Sequence, residues 1–179
     1  LAGIGASVGH GGVIAFDEHT SIAELVHHVF DFGAYESCGK CTPCREGTKR
    51  MLELLTKITE GKATQEDIEK LERLGAMIKK ASLCGLGQSA PNPVLSTLRH
   101  FRHEYQEHVF EKRCSAGVCQ ALCVYTIIDK CVGCGACKKV CPTVAISGSQ
   151  KNKHQVSQEK CSKCGLCVTT CKFDAIKKG

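Results

Sequence analysis

The stretch DKCVGCGACKKVCPTVAI, at residues 129–146, returns thirty residues later as EKCSKCGLCVTTCKFDAI, at 159–176. Each copy carries the spacing Cys-x2-Cys-x2-Cys-x3-Cys. Three thiolates at that spacing wrap one corner of a cubane of iron and sulfide, while the fourth points away toward a second centre. The repeat therefore predicts two interlocked quartets. Cys131, Cys134, Cys137 and Cys171 hold one [4Fe–4S] centre, and Cys161, Cys164, Cys167 and Cys141 hold the other. Gly133, Gly135 and Gly165 let backbone amides approach the sulfurs.

The chain has fifteen cysteines in 179 residues, an odd count that fits disulfide pairing poorly. Clustered thiols without an export signal point instead to metal ligation in a reducing compartment, the cytoplasm. No run of about 20 apolar residues offers a membrane span. Residues 131–179 hold nine Lys against two acidic groups, and the first 130 residues hold fifteen basic against sixteen acidic groups. This basic block offsets anionic clusters or attracts an acidic protein partner. It has no nucleic-acid motif and one aromatic residue, Phe173, which argues against a nucleic-acid module.

The double repeat resembles the two-cluster bacterial ferredoxin module over residues 125–178. Lys172 stands where that family usually has Pro after the last cysteine, which leaves the shape of that turn open.

A second pattern, ESCGKCTPCREGT, places Cys38, Cys41 and Cys44 at Cys-x2-Cys-x2-Cys spacing. Cys84, in SLCGLGQSAPNPV, completes a third quartet. These segments resemble the flavin- and NADH-binding subunit of respiratory complex I and the matching subunits of NAD-linked formate dehydrogenases and NAD(P)-dependent hydrogenases, over about residues 8–113. The resemblance implies a [4Fe–4S] cluster on Cys38, Cys41, Cys44 and Cys84 that exchanges electrons with FMN. Lys40 and Arg45 are polar neighbours or solvated loop residues. Glu36 and Glu46 read as surface or capping groups.

Around these loops the apolar spacing is helical. Ser21-x-x-Glu24 opens a first helix with Ile22, Leu25, Val26, Val29 and Phe30, ending near Gly33. Met51, Leu52, Leu55 and Ile58 mark a second, stopped at Gly61. Thr64-x-x-Asp67 opens a third with Ile68, Leu71, Leu74 and Ile78. A fourth runs from about Val94 to Lys112 with Val94, Leu98, Phe101 and Tyr105 as its stripe. GGVIAFDE, before the first helix, reads as a strand and turn.

The expected fold class is thus α+β. Residues 1–19 end a preceding domain, and 20–112 form a small four-helix bundle carrying a [4Fe–4S] cluster. Residues 113–130 form a zinc-binding linker or hinge, and 131–179 a ferredoxin-like α+β domain with two [4Fe–4S] clusters. No Gly-rich nucleotide loop stands in a strand–helix context, so FMN and NAD(P) are expected in a preceding part of a longer subunit.

Cys114, Cys119 and Cys123, in RCSAGVCQALC, remain. Three thiolates and an imidazole make a closed structural Zn²⁺ site. His108 falls on the apolar face of the fourth helix, six residues before Cys114, and is the chosen fourth ligand. His100 and His154 stay open as alternatives, as do free buried thiols and a further iron–sulfur cluster.

A complex I-type cluster bundle followed by a two-cluster ferredoxin resembles the β subunits of cytoplasmic, electron-bifurcating hydrogenases. That resemblance implies an oxidoreductase complex of the NAD(P)-linked hydrogenase type, a hetero-oligomer. Its partners would be a catalytic hydrogenase subunit, a small thioredoxin-like [2Fe–2S] subunit and an external ferredoxin. The same arm in a formate dehydrogenase complex and a free-standing ferredoxin-like carrier are the alternatives. No catalytic acid–base pair or nucleophile is evident.

Overall fold

The computed structural model describes residues 11–179 and divides into two compact units, one ending at Val118 and one spanning Cys119–Gly179. The glycine-rich residues 1–10 lie outside the described residues. Residues 12–17 form no strand, contrary to expectation, and Val13 and Ile14 are exposed. No strand among the described residues pairs with them, so their apolar side chains have no sheet face to cover.

The first unit is helical. Helix α1 (Ile22–Tyr35) starts where the Ser21 hydroxyl accepts from the Glu24 N–H. The Glu104 carboxylate accepts from the Ile22 N–H at 3.0 Å and ties this end to the last helical segment. Helix α2 (Thr42–Thr59) has Cys41 as its N-cap and Pro43 in its first turn, where the missing N–H costs nothing. It stops at Gly61, whose φ of 69° lets the Lys62 N–H return to the Lys57 carbonyl. Helix α3 (Gln65–Ala81) opens with the predicted Thr64–Asp67 capping box. A short helix α4 (Gly85–Ser89) begins directly after Cys84, and α5 spans Asn92–His100.

Met51, Leu55, Ile58, Ile68, Leu71, Ile78, Val94, Leu98 and Tyr105 form the core of this unit, with Leu52 and Leu74 partly buried against it. Val29 departs from the expected stripe and is exposed.

The predicted fourth helix is not continuous. It breaks at Phe101 (φ −127°, ψ 31°), resumes as α6 (Arg102–Gln106) and widens into a π-helical turn, Glu107–Glu111. The break turns Phe101 outward, 40% exposed, although uniform helical spacing places it on the buried stripe. The π turn then buries Glu107, His108 and Val109 together, a run that a single apolar stripe of 3.6-residue period does not predict.

The second unit repeats itself at the same interval as its sequence. Strand β1 (Tyr125–Ile127), helix α7 (Ala136–Val140) and strand β2 (Ile146–Ser147) are followed by β3 (Gln155–Val156), α8 (Leu166–Thr170) and β4 (Ile176–Lys178). The strands pair across the repeats: β1 with β4, Ile127 opposite Ile176, and β2 with β3, Ile146 opposite Val156. The strand that follows each repeat therefore lies beside the strand that precedes the other. This exchange carries the fourth cysteine of each copy toward the other copy. The core is small and built partly of sulfur: Tyr125, Ile127, Ile146 and Ile176 pack with Cys123, Cys137 and Cys167.

Candidate metal centres

In the second unit, one cavity is lined by Cys131, Cys134, Cys137 and Cys171, and another by Cys161, Cys164, Cys167 and Cys141. Each takes three cysteines from one repeat and one from the other. The first three sit at the start of α7 or α8, where Gly135 and Gly165 adopt left-handed φ of 76°. The fourth follows the helix. The Ala145 N–H donates to Cys141 Sγ at 3.3 Å and the Ala175 N–H to Cys171 Sγ at 3.4 Å, the same bond at equivalent positions. Such donors favour the anionic thiolate that a metal requires.

Burial raises the pKa of Cys137, with the neighbouring Cys131 and Cys134 adding to it, and burial likewise raises that of Cys167. Burial pushes Cys141 up too, but the Thr143 hydroxyl and the backbone amides of Ala145, Thr143 and Ile146 outweigh it and leave the thiol lowered.

The two halves are not equivalent. Gly133 (φ 70°) corresponds to Lys163 (φ 58°). A Cβ at Gly133 would lie 2.5 Å from the Asn152 backbone N, because the chain at 151–152 passes over it. The Lys163 N–H donates to Cys161 Sγ at 3.4 Å. His154 is buried beside the first cavity, its Nδ1 donating to the Asn152 carbonyl at 3.1 Å. It lines that cavity.

In the first unit, Cys38 lies on the loop entering α2, Cys41 is that helix's N-cap and Cys44 sits in its first turn, and Cys84 caps α4. The Leu83 backbone N–H reaches Cys41 and, with the Cys44 N–H, lowers its pKa. Gly87 packs so closely that a Cβ there would lie 3.1 Å from the Cys44 Cβ. These contacts bring the Cys84 segment against the Cys41–Cys44 loop, 40 residues distant in sequence. Cys44 is buried and Ser37 Oγ lies 3.2 Å from its sulfur; Cys38 and Cys84 are exposed. Arg45 donates to the Gly39 carbonyl at 2.6 Å and pairs with Glu46 at 3.0 Å, so it braces the loop. Lys40 is exposed. Spacing alone did not reveal the Leu83 and Gly87 contacts, since each depends on chain segments distant in sequence meeting in space.

His108, Cys114 and Cys119, all buried, bring their ligand atoms within 4.8 Å of one another. Zn–S and Zn–N bonds of about 2.0–2.3 Å imply tetrahedral edges of about 3.3–3.8 Å, so this group is of single-ion size. Around a cubane each thiolate binds a different iron and the sulfurs stand farther apart. Among the described residues, no other trio of His, Cys, Asp or Glu is so tight. The His108 Nδ1 lies 2.7 Å from the Glu104 carbonyl oxygen, which can only accept. Nδ1 thus carries the hydrogen and Nε2 presents a lone pair. Burial pulls the His108 pKa down, but Cys114 and the Glu104 carbonyl raise it above the usual value. Glu107, the residue before His108, is held by Ser115 Oγ at 2.5 Å and Arg113 at 2.8 Å. Cys123 stands outside the tight trio; it is buried, and its sulfur lies 3.3 Å from the Cys119 carbonyl. His100 is exposed.

Comparison with known proteins matches residues 24–108 to the NADH-ubiquinone oxidoreductase-F iron–sulfur binding region and residues 130–175 to a 4Fe-4S dicluster domain. The NADP-reducing hydrogenase subunit HndC of Solidesulfovibrio fructosivorans is 48% identical over 99% of this chain and 36% of its own length. The F subunit of NADH-quinone oxidoreductase from Streptomyces coelicolor is 42% identical over 62% of this chain and 24% of its own. The crystal structure of an NAD⁺-reducing [NiFe]-hydrogenase in the H2-reduced state superposes with a TM-score of 0.51 at 41% identity, covering 52% of this chain and 16% of that one. The chain thus spans about a third or less of the length of these relatives.

Proposed function

We propose that this chain, a homologue of the hydrogenase subunit HndC and of the F subunit of NADH-quinone oxidoreductase, is an electron-transfer segment of an NAD(P)-linked hydrogenase-type oxidoreductase complex. The observation that carries this reading is the pair of cavities, each lined by three cysteines of one repeat and the fourth of the other. That arrangement fits two [4Fe–4S] clusters, and the Cys38, Cys41, Cys44 and Cys84 loops fit a third. When bound, such clusters supply one-electron transfer.

The chain's own residues do the holding and the tuning. Twelve cysteines provide thiolates. The amides of Ala145, Ala175, Lys163 and Leu83 stabilise charge on sulfur. His108, Cys114 and Cys119, with Cys123 as the fourth ligand, form a zinc site that is redox-silent, since Zn²⁺ has no accessible second oxidation state. The exchange partners in this proposal are FMN, a thioredoxin-like [2Fe–2S] subunit, the catalytic hydrogenase subunit and an external ferredoxin. The location is the cytoplasm; no helix among the described residues is long and apolar enough to cross a membrane.

Metal analysis of the anaerobically purified complex, combined with EPR after reduction by NAD(P)H, tests this reading. Three clusters in this chain contribute about 12 Fe and three reducible cubane centres. A chain that binds zinc and no iron would sink the proposal.

A further inference from the structure

In the first unit, α2 and α3 line an open groove of about 430 Å³. The two helices are joined by a short turn and run antiparallel. Arg50, Leu54 and Lys57 line one wall at i, i+4 and i+7; Lys70, Leu74 and Met77 line the other at the same interval. Those rows are two turns, about 10 Å, long. Leu54, Leu74 and Met77 form the apolar floor; the two leucines are partly buried against the core and Met77 is 50% exposed.

The rim is strongly basic. Arg50, Lys57, Lys70 and Arg73 face one acidic lining residue, Glu53. Arg50 is paired with Glu53 at 2.8 Å and Lys70 with Glu66 at 3.1 Å, whereas Lys57 and Arg73 form no ion pair within 4 Å among the described residues, although the Lys57 charge helps to lower the Asp67 pKa. The unit that carries this groove lacks the basic excess of the chain's last 49 residues, so the positive rim is a local feature.

We infer that this groove docks an acidic amphipathic helix of another protein subunit. A groove between two antiparallel helices accepts the side-chain ridge of a third. The floor matches apolar anchors two turns long, and the unpaired Lys57 and Arg73 match Asp or Glu on either side of them. Burying the floor removes Met77 from water, and the charges select and orient the occupant. The inference concerns assembly and is independent of which metals the cysteines hold.

The test uses the full complex. A benzophenone amino acid replaces Met77, the assembled complex is irradiated, and the adduct is mapped by mass spectrometry. The expected adduct lies on an acidic helical segment of a co-purifying subunit. An adduct within this polypeptide, on a second copy of it or on lipid, or no adduct, overturns the inference. In parallel, the double variant Lys57→Glu, Arg73→Glu should weaken retention of the crosslinked subunit by about tenfold or more at moderate salt. Lys49→Glu, on α2 but outside the groove, should not. Iron content and thermal melting confirm that the variants are folded. Equal retention by the double variant and wild type also overturns the inference.

Discussion

The Nδ1 of His108 lies 2.7 Å from the carbonyl oxygen of Glu104, four residues earlier, and the other ring nitrogen is the one that can meet Cys114 and Cys119. A backbone carbonyl thereby selects the tautomer, as outer acceptors do for metal-bound imidazoles. If this trio with Cys123 holds zinc, Cys119→Ser should lower the content from about one Zn to none. All iron should stay bound. Inductively coupled plasma mass spectrometry reads both, and loss of about 4 Fe instead would mean that a cluster has been misassigned.

Crossed ligation makes a different prediction. Cys141→Ser should perturb the same EPR signal as Cys164→Ser, although Cys141 belongs to the other repeat, and should leave the signal sensitive to Cys134→Ser unchanged. Cys171→Ser should behave like Cys134→Ser. Ligation within each repeat would give the opposite grouping.

Gly87 and Gly85 offer a matched pair on α4. A Cβ at Gly87 would lie 2.6 Å from the Ser82 Cβ and 3.1 Å from the Cys44 Cβ, and one at Gly85 meets nothing within 4 Å. Gly87→Ala should cost about 1–3 kcal/mol by overpacking and loosen the cluster proposed on Cys44 and Cys84. Gly85→Ala should be close to neutral. Thermal melting and iron retention on a desalting column separate the two.

Tyr105 is fully buried, and its hydroxyl shares a 2.7 Å hydrogen bond with Thr97 Oγ1. Burial is the main cause of a phenol pKa pushed up from 10.0 to about 12, opposed by the Thr97 hydrogen bond and assisted by Glu104. Above pH 10 the unfolded chain loses this proton while the folded chain keeps it, so stability is full below pH 10 and falls as pH rises toward 12. The loss reaches about 3 kcal/mol. Tyr105→Phe should cost about 1 kcal/mol at neutral pH from the missing hydrogen bond but should flatten this alkaline decline. Chemical denaturation at stepped pH checks both signs.

The two halves of the ferredoxin-like unit show how much a repeat discloses. Gly133 and Lys163 occupy the same left-handed backbone position, and only Gly133 lies under the chain at 151–152. Gly133→Lys, a substitution that copies the sister repeat, should therefore reduce the yield of folded, iron-loaded protein. Lys163→Gly should be tolerated. Quantified iron per polypeptide is the readout.

Much of this was legible in the chain. Cysteine spacing marked the three Cys-x2-Cys-x2-Cys runs at 38–44, 131–137 and 161–167, because ligands close in sequence can converge without help from the fold. Helical periodicity marked Met51, Leu55, Ile68 and Leu71 as core, because one apolar face must be buried wherever the helix packs. Phe101 was misplaced by the same reasoning. A uniform period has no term for a break, and the contact just past it, the Glu104 carboxylate on the Ile22 N–H, joins two helices that are distant in sequence.

By itself, then, the sequence determined which atoms are available as ligands and at what intervals. Tertiary structure decided what those intervals could not express. The Leu83 amide on Cys41, Gly87 against Cys44, the Glu104 carbonyl on His108 and the buried His154 beside one of two sister cavities all depend on where separate segments meet. Local spacing sets the donors, but the dielectric, the hydrogen bonds and the room around each sulfur are properties of packing, and packing is long-range.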